Sequence, residues 1–151
     1  MVAALGAALP AGAAIVPGRA IDGISLRMSE AQVRARLGAP LHVYRWVAAH
    51  GRHVAQLHYA SLDVVVQSLG NRPVVVLVLT RRPSDRTASG VGVGSTLASV
   101  EKLPNARCAL VTKTQRYCGV TEPGKPFDRY TLFWAGRGDR VTEVFVQLVV
   151  V

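Results

Sequence analysis

Cys108 and Cys118 are the only two cysteines in the 151-residue sequence. They sit near the ends of two short extended segments joined around Lys113-Thr114, a spacing that can bring the two thiols face to face. Closing so short a loop stabilises a fold by about 3 kcal/mol in the chain-entropy account. A redox pair wants Cys-x-x-Cys, which is absent, so a structural disulfide is expected. The four histidines are His42, His50, His53 and His58. His53 and His58 are an odd number apart and must point to opposite faces of one strand. With no His-Glu-x-x-His helix, turn and surface roles are expected and no metal site.

The glycine-rich run Gly90-Val91-Gly92-Val93-Gly94-Ser95 lacks the lysine of a phosphate-binding loop and the spacing of a dinucleotide fold. There is no Gly-x-Ser-x-Gly, and cysteines paired with each other leave no Cys–His nucleophile. Acidic residues are scattered singly. No catalytic residue and no cofactor is therefore expected. What remains are the grouped aromatics. Tyr44, Trp46, Tyr59, Tyr130 and Trp134 are the candidate partner-binding residues, with Trp46 and Trp134 as the anchors. Phe133 and Trp134 are adjacent, so on a strand they must face opposite sides of a sheet.

The elements that must position these residues begin with Met28–Pro40. Ser29 and Gln32 have the spacing of a capping box, and Met28 and Val33 that of a hydrophobic staple. Glu30 lies in the first turn and Arg34 and Arg36 in the last, the signs a helix dipole favours. Gly38 and Pro40 end the helix. Strands are expected over 41–47, 54–59, 62–69 and 74–80. The run Val74 to Leu79 is apolar without alternation, so both faces of that strand need cover. A single helix layer covers only one.

Residues 1–14 carry no charge and resemble the apolar core of a secretory signal ending in Ala11-Gly12-Ala13. The segment 1–20 is accordingly expected to be signal-like or disordered, which places the chain outside the cytoplasm, secreted or in the cell envelope. Arg81 to Ser89 is polar and is expected as a linker. Then Gly23–Ser29 and Val33 line up with Gly90–Thr96 and Val100 at a constant offset of 67. That match predicts an α+β chain of two tandem helix-plus-antiparallel-sheet repeats, 21–80 and 90–151, separated by 81–89. Strands of the second are expected over 109–112, 116–120, 129–135 and 140–149, the last two joined as a hairpin through Gly136–Asp139.

The formal net charge of +9 is dispersed: seven basic against three acidic residues up to residue 75, eleven against six after it. A nucleic-acid binder concentrates its charge and interleaves aromatics, so no specific nucleic-acid partner is expected. A diffuse positive charge suits peripheral contact with an anionic surface.

Met28-Ser29, Gln32-Val33 and Leu37-Gly38-Ala39-Pro40, echoed by Gly94-Ser95-Thr96 and Val100, resemble the tandem modules of the β-lactamase inhibitory protein superfamily. They are similar also to the small outer-membrane assembly lipoproteins, which carry one such unit. The resemblance covers about residues 21–150. It implies two units that place their strands side by side in one concave sheet gripping a partner protein. Arg27 stands where the family usually has glycine, the first unit has no cysteine, and no lipoprotein cysteine is present. Together these observations lead to the expectation of an exported, non-catalytic module that binds a protein or envelope component through its sheet face.

Overall fold

The computed structural model describes residues 14–121 and 128–150. The signal-like stretch 1–13 lies outside the described residues. The chain is mostly β. Three two-residue strands, β1 (Ile15–Val16), β2 (Ala20–Ile21) and β3 (Ile24–Ser25), form a small antiparallel sheet. Then come helix α1 (Glu30–Leu37) and strands β4 (His42–Ala48), β5 (Arg52–Tyr59), β6 (Leu62–Leu69) and β7 (Arg72–Thr80). A five-residue helix, α2 (Leu97–Glu101), precedes β8 (Ala106–Leu110), β9 (Arg116–Thr121), β10 (Arg129–Gly136) and β11 (Glu143–Leu148).

These eight long strands make one antiparallel sheet in the order β4-β5-β6-β7-β11-β10-β9-β8. The expected α+β chain of two helix-plus-sheet repeats is thereby corrected. β7 pairs directly with β11, Val78 opposite Val146 and Thr80 opposite Val144, so the strands of both halves fuse into a single sheet. Its core is continuous. In register across the sheet, Leu57, Val64, Val78, Val146, Thr131 and Val120 follow one another, and all are buried. The helices, of eight and five residues, are too short to form a layer of their own. The 67-residue offset marks two equivalent helix caps rather than two structural units. Ser29 accepts from the Gln32 amide at 3.2 Å, and Thr96 accepts from the Ser99 amide at 3.2 Å.

Helix α1 forms for the local reasons its sequence carries. The capping box is complete, the Ser29 amide donating to Gln32 Oε1 at 2.9 Å. Val33 is its buried residue, and Met28 packs against the core beside it. Gly38 ends the helix at φ +79°, ψ −159°, a region open essentially to glycine alone rather than the left-handed helical well.

The small sheet sits on the same side as the helices. Ile15, Ile21 and Ile24 are fully buried, and the Gly18 amide donates to Thr131 Oγ1 at 2.7 Å. The boundary drawn at residue 20 falls inside this sheet. Residues 81–89, expected as a linker, are packed in: buried Asp85 accepts from Thr80 Oγ1 at 2.5 Å and from Arg82 Nε at 2.9 Å. Arg82 also reaches Asp22 at 2.9 Å. Burial alone would lower its pKa, but the two carboxylates outweigh that and raise it.

Candidate functional site, the outer face of the sheet

Strand alternation divides the sheet into an inner face under the helices and an outer face. α1, α2 and the small sheet all touch inner-face residues. Tyr59 Oη donates to the Gly38 carbonyl at 3.1 Å, Arg45 pairs with Glu30 at 3.0 Å, and Cys118 Sγ lies 3.9 Å from the Leu97 carbonyl. The outer face carries Tyr44 and Trp46 on β4, Val65 on β6, Leu77 and Leu79 on β7, Phe145 on β11, Tyr130, Leu132 and Trp134 on β10, and Tyr117 on β9. Of the two anchor tryptophans, Trp46 is 44% exposed and Trp134 half-buried.

Four of the five candidate residues therefore share one face: Tyr44, Trp46, Tyr130 and Trp134. They form two groups, one at the β4 edge and one on β10. Tyr59 does not join them. It lies opposite Leu62 on the inner face and caps the end of α1. Burial holds its phenol above the usual pKa. The Phe133–Trp134 expectation is met, with Phe133 fully buried and Trp134 on the other side.

A polar cluster that sequence reading missed lies on the same face. His58 Nδ1 is 2.6 Å from Asp63 Oδ1, Arg81 donates to Asp63 Oδ2 at 3.0 Å, and Arg81 Nε is 3.2 Å from Glu143 Oε2. His42 stacks on His58 with ring centroids 6.1 Å apart. These residues come from β4, β5, β6, β11 and the segment after β7, so no sequence spacing could announce them. One guanidinium bridges two carboxylates, of which Asp63 is buried while Arg81 itself is about half exposed. Among the described residues no hydroxyl or thiol bonds to His58, and no group of His, Cys, Asp and Glu could hold a metal ion.

Over β8–β11 the outer face dips into a groove of about 1010 Å³. Tyr117, Tyr130, Trp134, Leu132 and Phe145 line it, with Gly119 in its floor and Arg107 at its rim. Tyr130 Oη donates to Gln147 Oε1 at 2.8 Å. Burial, with Tyr117 alongside, raises the Tyr130 pKa. Strand alternation on β9 could have placed Tyr117 and Gly119 together on this face. The neighbours on β8 and β10 depend on long-range pairing.

Cys108 and Cys118 face each other across β8 and β9 and form a disulfide. No described helix is long and apolar enough to cross a membrane.

No known family model matches the chain, and no curated protein does. Among solved structures it is similar to a cysteine-rich secretory protein from Staphylococcus aureus, with a TM-score of 0.47 and 12% identity over 82% of this chain and 44% of that one. An extracellular protein containing an SCP domain from Bacillus anthracis gives a TM-score of 0.47 and 11% identity over 81% of this chain and 43% of its own. The chain thus spans less than half the length of either neighbour, and likenesses this distant speak for neither its fold nor its function.

Proposed function

We propose that this protein is an exported, non-catalytic binding module whose outer sheet face recognises a protein or cell-envelope component. One observation carries the reading. A face holding Trp46, Leu77, Leu79, Leu132, Trp134 and Phe145 has both α-helices on its opposite side. Central β7 displays the point most directly, because Val75 and Val78 are buried inward while Val74, Leu77 and Leu79 point outward with no second layer among the described residues. A contiguous apolar sheet face of this kind is read as an interaction site. The disulfide favours an oxidising, extracytoplasmic compartment.

Immobilised protein is challenged with envelope extract and culture fluid under a high-salt wash, beside Trp46→Ala and Trp134→Ala. A stoichiometric partner kept by wild type and lost by a tryptophan variant supports the reading. The net charge of +9 favours a second one, an envelope assembly or stress protein held on an anionic wall or membrane. Under that reading everything is released by salt.

A further inference from the structure

We propose that the groove over Gly119 seats a bulky apolar side chain of a polypeptide partner, and that Arg107 pairs with a carboxylate beside that side chain. This rests on the outer face being the binding face. Gly119 is the first observation. It lies within β9, directly between Arg107 on β8 and Leu132 on β10. Glycine in a strand interior weakens the strand, because it loses more chain entropy on folding and has no side chain to pack. Nothing in the fold demands it: its φ is not positive, and a Cβ there would meet only the Arg107 carbonyl and Leu132 Cδ2, both at 3.9 Å in ordinary contact. A strand glycine without a conformational or packing reason fits the close approach of another molecule.

The second observation is what surrounds it. Across the sheet Leu79, Phe145, Leu132, Gly119 and Arg107 stand side by side, an apolar row that drops to bare backbone and ends at a cation. Tyr117, Tyr130 and Trp134 flank the dip. Tyrosine, tryptophan and arginine around a pocket are the residue types that dominate protein-interface energetics. Arg107 makes no ion pair with a described residue, and no described carboxylate lines the groove. The charge complement is therefore acidic.

The probe is a displayed library of short random peptides, selected on the whole wild-type protein at near-physiological salt. Selected peptides are expected to place Asp or Glu within a residue or two of a large apolar residue. Their affinity is expected to fall about tenfold or more with Gly119→Val, which fills the dip, and with Arg107→Glu, while the inner-face variant Tyr59→Phe leaves it unchanged. Should Gly119→Val fail to fold, the exposed Arg107→Glu decides. Peptides that bind Gly119→Val and Arg107→Glu as tightly as wild type overturn the proposal. If those peptides depend on Trp46 instead, the outer face keeps its role and the groove assignment alone falls. If no peptide is selected, the groove assignment falls, and the outer face is judged separately by the capture experiment. Binding of purified cell-wall glycan that Gly119→Val abolishes would place a sugar there and overturn the polypeptide assignment.

Discussion

Phe133 and Trp134 are neighbours on β10 with opposite fates. Phe133 packs between Val144 and Cys118 and is fully buried, while Trp134, opposite Tyr117 and Glu143, stands on the other face. One residue holds the fold and the next is free to meet a partner. Phe133→Ala is expected to cost about 3–5 kcal/mol, because the cavity it leaves is enclosed. Trp134→Ala is expected to cost well under half of that. Denaturant unfolding of the two variants checks the difference, and equal losses would contradict the two-face assignment.

The disulfide closes the outermost strand of the sheet. β8 is an edge strand whose residues are largely exposed, and Cys108 lies opposite buried Cys118. Replacing both by serine is expected to lower stability by about 3 kcal/mol. Thermal unfolding with and without reductant should show the same loss in wild type and no change in the double variant.

Glu30 ties α1 to the β4 edge, receiving Arg34 at 2.9 Å and Arg45 at 3.0 Å. Burial pushes its carboxyl pKa up, but the hydrogen bonds from Arg45 and Arg34 outweigh burial and lower it from 4.5. A carboxylate depressed in the folded state contributes stability above its unfolded pKa, and that stability is lost as pH falls through the folded one. Glu30→Gln is expected to cost about 0.5 kcal/mol at neutral pH, since both arginines are solvent-exposed. Denaturant titrations should show the gap from wild type closing in acid below the usual carboxylate range.

Two glycines make a matched pair for a packing test. A Cβ on Gly92 would collide with the backbone carbonyl of Asp85, in the loop that holds Thr80 and Arg82. Gly92→Ala is expected to destabilise by about 1–3 kcal/mol. Gly119→Ala, whose Cβ would make only ordinary contacts at 3.9 Å, is expected to leave stability unchanged or slightly raised. Melting temperatures of both variants check this.

What was legible in the sequence follows the range of the forces involved. Helix α1 depends on contacts three or four residues apart, so Ser29, Gln32 and Val33 announced it. The Cys108–Cys118 pairing and the β10–β11 hairpin are also local. Trp134 was readable because alternation leaves Phe133 and Trp134 no common face. The same rule could have removed Tyr59, which shares a face with core Leu57. The β7–β11 junction was out of reach, because it joins residues more than sixty apart and turns two apparent units into one sheet. The little sheet at 15–25 was hidden as well. Strands of two residues have no period to detect, and they follow an apolar, uncharged stretch that reads as a leader. The Arg81 cluster assembles from separate strands and leaves no spacing to read.

The central claim is that binding uses the outer face. Titration of the captured partner against wild type, Trp134→Ala, Trp46→Ala and the inner-face variant Tyr59→Phe, at low and high salt, tests it most directly. The expected result is a loss of about 2 kcal/mol or more for at least one tryptophan variant, no change for Tyr59→Phe, and affinity that largely survives salt. Binding that is indifferent to both tryptophans, or that vanishes with salt in every variant, would contradict the account.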